Sequence, residues 1–404
     1  MKMRVWEMGK SAEARTISSA TSSVLPNPQA NGPMHTFGQN GSLREIAWLF
    51  LKLGCTSFGG PIVHIAMMER EVVARKKWIS KEHFLDLVGA TNLIPGPNST
   101  EMAMHCGQQR AGYRGLIVAG CSFILPAVMI TAILAWAYRE FGTLPEVQPF
   151  IYGIKPSIIA VILFLMIGLG KKALKTFELG LIGLASGILV LAGYSEIAVL
   201  LAAGLVGITI HVLRQKPNQA NSFLPFLLIA AISNLKLFWI FLKIGSILYG
   251  SGYVLFAFLD DTLVAEGIIT KQLLIDAIAV GQITPGPVFS SATFIGWQID
   301  GAKAAFAATV GIFLPSFIFV ALLNPLIPKL RKSRIMSSFL DAVNIASVAI
   351  ISAVIIDIGR EVLVDWRSIT IAIIGFITSY FFRNINTAFI ILGGSLLGYL
   401  LTFF

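Results

Sequence analysis

Long apolar segments alternate with short polar loops along the chain from about residue 43 onward. A helix needs about 20 apolar residues to cross the hydrocarbon core of a bilayer. Several segments in each half of the chain approach this length, which predicts an all-α polytopic membrane protein. The predicted crossings are 44–66, 113–138, 151–170, 178–193 and 196–213 in the first half, and 235–257, 303–325, 339–358, 367–382 and 387–404 in the second.

Two further apolar stretches, 83–109 and 272–299, each carry the tripeptide Pro-Gly-Pro near the middle. Proline lacks an amide donor and disfavours helical angles in the residue before it, so each stretch is predicted to be a broken helix. Basic loops before and after the first stretch place both of its ends in the cytoplasm by the positive-inside rule. The first broken helix is therefore predicted to be re-entrant, with Pro95-Gly96-Pro97 at its tip and Pro285-Gly286-Pro287 at the tip of its counterpart.

The two halves are similar to each other at an offset near 190 residues. Phe50-Leu51-Lys52-Leu53-Gly54 recurs as Phe241-Leu242-Lys243-Ile244-Gly245, Asp86 recurs as Asp276, and Pro-Gly-Pro recurs intact. The loop at 67–83 is basic, whereas its counterpart at 259–271 is acidic, so the halves are predicted to face opposite sides of the membrane. Two inverted-topology repeats of about five transmembrane helices each, plus a re-entrant broken helix, are typical of secondary transporters.

This repeat divides the chain into four predicted regions. A polar tail rich in Ser, Asn, Pro and Gly comes first and is predicted to be disordered. The two repeats follow, separated by a linker. The boundaries are 1–42 for the tail, 43–213 for the first repeat, 214–234 for the linker and 235–404 for the second repeat.

Composition narrows the function classes. Of the 404 residues, 55% are hydrophobic and only 13% are charged, about half the charge of a soluble protein. This excludes a cytosolic enzyme and a disordered scaffold. The net charge of +10 indicates cytoplasmic loops and contact with a lipid bilayer rather than a nucleic-acid partner. The three cysteines and five histidines form no ligand motif, so no metal and no cofactor are expected.

The tips suggest where a ligand binds. Each distal arm starts directly after Pro-Gly-Pro, and the free amides of a helix N-terminus favour an anion. Hydroxyl and amide side chains follow each tip, and they either bind the anion or cap their own helices. Two lysines at equivalent positions inside apolar segments either neutralise a dianion or snorkel to the interface. The predicted substrate-binding residues are Lys52, Lys243, Gly59, Gly60, Pro95, Gly96, Pro97, Asn98, Ser99, Thr100, Pro285, Gly286, Pro287, Ser290 and Ser291.

Ionisable residues also occur within the broken helices. Glu101 and His105 lie four residues apart on the distal arm of the first one. They are predicted either to carry a proton or to form a structural hydrogen-bonded pair. Asp86 and Asp276 lie near the entries of the two broken helices, where a charge that caps a helix N-terminus is the simpler interpretation.

Three motifs carry a resemblance to a known family: Phe58-Gly59-Gly60-Pro61, Ile94-Pro95-Gly96-Pro97-Asn98 and Gly112-Tyr113-Arg114-Gly115. In this combination the chain resembles the long-chain, two-domain form of the chromate ion transporter family. The resemblance implies inverted halves, export of chromate across the inner (plasma) membrane, chromate resistance, and sulfate as a related competitor. The second half departs from the first, since Val288 replaces Asn98 and Ser251-Gly252 replaces Gly60-Pro61.

The leading hypothesis is a secondary exporter of a tetrahedral oxyanion, driven by the membrane potential or by ion or proton coupling. No GxxxxGK[ST] motif is present, which agrees with a mechanism that does not use ATP. A transporter of sulfate or a related oxyanion is the alternative. An intramembrane enzyme that acts on lipid phosphates would need a nucleophile or a metal cluster, and only Glu101 and His105 come near, so we expect no enzyme. The sequence does not determine how many chains assemble, and a homodimer is one of the alternatives.

Overall fold

The computed structural model describes residues 42–58, 60–214, 236–249, 252–323, 333–382 and 385–403. Within these ranges the regular structure is helical. Almost all of the predicted tail and linker lies outside the described residues. The α-helices are α1 Leu43–Thr56, α2 Pro61–Met68, α3 Lys81–Thr91, α4 Asn98–Phe141, α5 Gln148–Ala173, α6 Phe177–Leu191, α7 Glu196–Arg214, α8 Lys236–Ile247, α9 Val254–Leu259, α10 Lys271–Ile283, α11 Ser291–Leu323, α12 Arg334–Val362, α13 Trp366–Phe381 and α14 Thr387–Leu401.

The helices of the two halves correspond in order, α1 to α8 through α7 to α14. A π-helical segment follows α2 at Glu69–Arg75, and another follows α9 at Asp260–Val264. Five helices are long and apolar enough to cross a membrane, namely α4, α5, α7, α12 and the helical stretch Val288–Leu322 that contains most of α11. These helices confirm the predicted all-α polytopic class, with α6, α13 and α14 as shorter apolar helices.

The contacts between helices follow the same pattern when the halves are exchanged. Helix α1 packs against α4 as α8 packs against α11, and α4 packs against its own counterpart α11. Helix α5 packs against α13 and α14 of the second half, while α12 packs against α6 and α7 of the first. Each half therefore completes the core of the other.

The segments 44–66 and 235–257 are not the continuous crossings that the hydrophobic pattern predicted. Helix α1 ends at Thr56 and α8 ends at Ile247, before the next helix of each half begins at Pro61 or Val254. Gly60 has a φ of 85° and Pro61 follows it, so the backbone leaves the helical region where an amide donor is also missing. Each half thus contains two discontinuous elements instead of one.

A close approach of backbones supports this arrangement. A Cβ atom on Gly54 would lie 2.6 Å from the carbonyl oxygen of Phe123, and one on Gly245 would overlap the carbonyl oxygen of Ile312. Only glycine permits this approach, so α1 and α8 are held directly against α4 and α11.

The long helices α4 and α11 are each kinked after the distal arm. Ala111 and Gly112 have non-helical angles in α4, as do Asp300 and Gly301 in α11. Across the first kink, a Cβ atom on Gly107 would overlap the carbonyl oxygen of Gly115. The distal arm therefore lies in backbone contact with the part of α4 that follows the kink. That this hairpin is re-entrant, and that the halves are inverted in the membrane, stay predictions.

Reciprocal backbone hydrogen bonds join the halves at the tips. The Gly96 amide donates to the Leu248 carbonyl, and the Gly286 amide donates to the Ser57 carbonyl, each at 2.8 Å. Ser57 and Leu248 are equivalent residues, the first after α1 and α8 respectively. Each Pro-Gly-Pro tip is thus anchored on the break in the first helix of the other half.

Candidate functional site

A cavity of about 920 Å³ extends between the two halves from the region of the tips. At its buried end it is lined by residues at the start of α2, α4 and α9 and of the 3-10 turn Val288–Ser290 that precedes α11. The breaks of the two halves meet here, since the Tyr253 hydroxyl lies 3.7 Å from where a Cβ atom on Gly60 would stand. The lining residues from these starts are Gly60, Pro61, Pro97, Asn98, Ser99, Gly252, Tyr253, Pro287, Val288 and Phe289.

The helix N-termini at this end carry no side-chain cap. Gly60 caps α2 and Pro97 caps α4, and neither accepts an amide hydrogen bond through a side chain. Away from the cavity, α1 and α5 also lack a side-chain cap, whereas a Ser, Thr, Asp or Asn side chain caps α3, α6, α10, α12, α13 and α14. Because an uncapped N-terminus leaves amide donors unsatisfied, the start of α2 and of α4 can stabilise an anion in the cavity.

Asn98 and Ser99 both line the cavity. The Asn98 carboxamide donates to Asn92 Oδ1 at 2.9 Å, which holds it at the wall rather than over its own helix N-terminus. Thr100 is fully buried and its hydroxyl has no hydrogen-bond partner among the described residues. Three small polar side chains thus follow the first tip, two of them at the cavity surface.

Behind the first tip, the pocket around Gly96 is filled by side chains. A Cβ atom on Gly96 would overlap Glu101 Oε1 and Ser316 Oγ, and the Gly96 φ is 139°. Ser316 donates to Glu101 Oε1 at 3.2 Å. Glu101 and His105 are fully buried, and neither lines the cavity. Both nitrogens of His105 and the Oε2 atom of Glu101 lack a hydrogen-bond partner in the described structure, so the two side chains do not form a hydrogen-bonded pair with each other.

The second tip is more tightly closed. Pro287 lines the cavity, but Val288 and Phe289 follow it in place of polar residues. Ser290 accepts a hydrogen bond from Thr131 at 3.1 Å, and Ser291 donates to the Val288 carbonyl at 2.7 Å. The two serines are therefore engaged within the protein, so of the two tips the first presents more polar side chains to the cavity.

The predicted lysines lie elsewhere. Lys52 and Lys243 are exposed and neither lines the cavity. The Lys52 ammonium lies 4.0 Å from Glu71. The role of Lys52 and Lys243 in neutralising a substrate stays a prediction. Gly59, also predicted to bind substrate, lies outside the described residues. Pro95, Gly96, Pro285 and Gly286 form the buried turns behind the cavity wall.

Exposed lysines line the other end of the cavity. Lys171 and Lys172 lie in the last turn of α5, and Lys175 lies in the loop that follows. Their positive charge predicts that this loop faces the cytoplasm. Lys175 pairs with Asp341 of α12 at 2.7 Å. Three cations against one carboxylate make the exposed end of the cavity attractive to anions.

A buried polar cluster joins the two halves outside the cavity. Asp276, only 3% exposed, accepts a hydrogen bond from the Tyr138 hydroxyl at 2.6 Å and lies 3.5 Å from the Lys155 ammonium. The interpretation of Asp276 as a capping charge is wrong, because Thr270 caps α10. A carboxylate one turn and a half inside a helix cannot reach the free amides at its start, whereas it can reach neighbouring helices α4 and α5.

His64 is a cavity residue that sequence reasoning missed. It lies one turn into α2, is 1% exposed and lines the cavity. Neither ring nitrogen has a hydrogen-bond partner within the described structure. An ionisable side chain one turn after Gly60-Pro61, inside an apolar segment, was the available signal.

The helices, the broken elements and the cavity between the halves together define a multi-pass helical membrane protein of the transporter class. The chromate transporter family model matches the chain twice, over residues 44–208 and 235–399. The chain therefore belongs to the chromate transporter family, which confirms the resemblance drawn from its motifs.

Curated relatives agree with this assignment. A chromate transport protein of Cupriavidus metallidurans is 29% identical to the chain, over 92% of this chain and 96% of its own length. A probable chromate transport protein of Synechococcus elongatus is 29% identical over 84% and 90% of the respective lengths. A chromate transport protein of Pseudomonas aeruginosa is 27% identical over 87% and 90%. No solved structure matches the chain.

Proposed function

We propose that this protein is a secondary transporter that exports chromate from the cytoplasm across the inner membrane and thereby confers chromate resistance. The observation that carries the proposal is the cavity, which has uncapped helix starts at its buried end and lysines at its exposed end. Membership of the chromate transporter family and the names of the relatives support chromate as the transported anion.

The chemistry of the cavity suits a tetrahedral dianion. Such an ion loses much hydration energy in a low-dielectric site unless several donors converge on it. The free amides at the starts of α2 and α4, with Asn98 and Ser99 beside them, supply such donors. Backbone donors are fixed in direction, so they select for the charge and shape of an oxyanion without a permanently bound cation.

The direction of transport follows from the loop charges and the membrane potential. The lysine-lined end of the cavity is predicted to face the cytoplasm, where chromate would enter. Moving a dianion out of a cell that is negative inside is downhill by about 2.3 kcal/mol per charge per 100 mV. The potential alone can therefore drive export, and Glu101 and His105 are candidates for proton coupling in addition.

Flux through the purified protein tests the proposal. The full chain is reconstituted into liposomes loaded with radiolabelled chromate, and an inside-negative potassium diffusion potential is imposed with valinomycin. We expect chromate efflux that is faster under this potential than after the potential is collapsed. Efflux of sulfate without efflux of chromate would contradict the proposed substrate, and chromate efflux that the potential does not accelerate would contradict a potential-driven export.

We also expect the lysines at the cavity entrance to attract substrate electrostatically. Changing Lys171, Lys172 and Lys175 together to glutamine should lower the chromate flux at low concentration by about tenfold and reduce its dependence on ionic strength. The maximal rate should change little, because these side chains lie far from the tips. Initial rates at several salt concentrations measure this effect.

The control makes the same charge change away from the cavity, with Lys76, Lys77 and Lys81 changed to glutamine. These residues are predicted to lie on the same side of the membrane. If both triple variants lose flux equally, general surface charge is responsible and the cavity lysines have no special role.

A further inference from the structure

We propose that His64 is a substrate-binding residue that takes up a proton when the oxyanion binds, so that binding of the dianion is linked to binding of one proton. This inference rests on the proposed function, because it concerns the same cavity. It adds a titratable ligand to the backbone donors already described, and it makes the affinity for the anion depend on pH.

The first argument is the unsatisfied ring. His64 is 1% exposed, and neither Nδ1 nor Nε2 makes a hydrogen bond of good geometry with the described residues. Its ring meets the edge of the Phe123 ring with the centroids 5.7 Å apart, and the Ser57 backbone is near enough for a weak hydrogen bond to one ring nitrogen, which leaves the other nitrogen without a partner. A buried imidazole with an unpaired nitrogen is costly, and His64, unlike His105, lines a cavity in which a bound ligand can supply the missing partner.

The second argument is position. His64 lines the cavity one turn after the uncapped start of α2. The Ser57 carbonyl beside it accepts the hydrogen bond from Gly286, so His64 lies next to the anchored second tip. That tip offers Val288 and Phe289 to the cavity instead of polar side chains. His64 therefore supplies a polar group beside the second tip, where Val288 and Phe289 supply none.

The asymmetry of the repeat points the same way. At the offset of 191 that relates Phe50 to Phe241, the counterpart of His64 is Leu255, which is fully buried. A packing role common to both halves would be filled by an aliphatic residue in both. The first half instead carries an ionisable residue at this position, in the half that also presents Asn98 and Ser99 to the cavity.

Most other charged groups near α2 pair with one another or lie away from the cavity. Helix α2 packs against α1, α4 and the π-helical segment Glu69–Arg75. Glu71 pairs with Arg75 and Lys52, and Glu69 pairs with Lys81. On α4, Glu101 and His105 lie away from the cavity surface. The remaining ionisable side chains that line the cavity are Lys171, Lys172, Lys175, Asp341, Tyr253 and Tyr380.

Among the described residues, His64 is the histidine that lines the cavity. Histidine is the side chain whose charge changes most readily near neutral pH. A neutral imidazole with no anion in the cavity needs no counter-charge. When a dianion arrives, a protonated imidazole donates a charge-assisted hydrogen bond to it and cancels half of its charge. The proton comes from the solution and adds to the free ring nitrogen.

The test measures chromate binding to the purified full-length protein in detergent by equilibrium dialysis with radiolabelled chromate, from about pH 8 to about pH 6. We expect His64→Gln to bind chromate about ten- to a hundredfold more weakly than wild type at the lower pH, the range of a charge-assisted hydrogen bond. The difference between the two proteins should shrink as the pH rises. Protonation of chromate itself affects both proteins equally and cancels from this ratio.

The matched control is His211→Gln. His211 also has a ring nitrogen without a partner within the described structure, but it lies on α7 away from the cavity. This variant should bind chromate as wild type does at every pH. A second readout is proton uptake on adding chromate in weak buffer, which should be smaller by about one proton per site in His64→Gln than in wild type. A purely structural role for His64 would not change this stoichiometry in folded protein.

The outcomes separate the two proposals. If wild type neither binds nor transports chromate, the proposed function fails and this inference fails with it. If wild type transports chromate and His64→Gln binds it with the same affinity, pH dependence and proton uptake, the role of His64 is wrong while the proposed function stands. If His64→Gln does not fold, His64→Asn is measured in its place, with the same expectations.

Discussion

Replacing Gly96 with alanine is expected to abolish chromate transport. The added methyl group would overlap Glu101 Oε1 and Ser316 Oγ, both of them buried behind the first tip. The Gly96 φ of 139° adds a backbone strain of about 1–3 kcal/mol for any residue with a Cβ atom. Either these two buried side chains or the tip would have to move, and movement of the tip would break its hydrogen bond to the Leu248 carbonyl. We expect the flux in liposomes to fall below about a tenth of wild type.

Gly193→Ala is the matched control. Gly193 also has a positive φ, of 89°, but a Cβ atom there would meet nothing within 4 Å, and the residue lies just after α6, away from the cavity. This variant carries backbone strain without the collision and should keep most of its transport. Wild-type flux in Gly96→Ala would show that the first tip tolerates displacement, which contradicts its proposed role in positioning the anion site.

The second large effect is expected at Asp276. Removing its carboxylate by Asp276→Ala leaves the Lys155 ammonium, whose side chain is 18% exposed, without its partner inside the helical bundle. Breaking a buried pair on one side costs on the order of 3 kcal/mol. The Tyr138 hydroxyl loses its acceptor as well. We expect a clearly lower melting temperature in detergent and little transport.

The double variant Lys155→Met/Asp276→Asn tests the cause. It removes both charges and keeps an acceptor for Tyr138, so most of the lost melting temperature should return. The control is Glu178→Ala, which breaks the exposed pair between Glu178 and Arg214 and should change the melting temperature little. If Asp276→Ala is as stable as wild type, the cluster does not hold the two halves together.

Much of the helical architecture could be predicted from the apolar segments. The predicted crossings 151–170, 196–213 and 339–358 lie within α5, α7 and α12. Lipid admits few ways to satisfy a backbone, so a long apolar segment already indicates a helix. The same pattern misjudged 44–66 and 235–257, because hydropathy does not record where the backbone leaves helical angles. Pro61 follows the first break, but neither α8 nor the second break contains a proline to mark it.

The candidate site was less accessible to sequence reasoning. Pro-Gly-Pro marked two breaks between helices. Asn98 and Ser99 line the cavity, while the prediction that they bind substrate stays a prediction. The lysines at 52 and 243 attracted attention because their spacing recurs, yet both are exposed away from the cavity. The roles of His64 and Lys171 depend on the cavity that they line, and the role of Asp276 depends on Tyr138 and Lys155, which are distant from it in the chain.

By itself, the sequence determined that this protein is a duplicated helical membrane protein with a broken helix in each half, since hydropathy, proline chemistry and the repeat are properties of the chain. Only the tertiary structure decided which residues meet. The reciprocal bonds of Gly96 to Leu248 and Gly286 to Ser57 join residues more than a hundred positions apart. Periodicity along a chain reports the face of a helix, whereas a binding cavity depends on which faces come together in space.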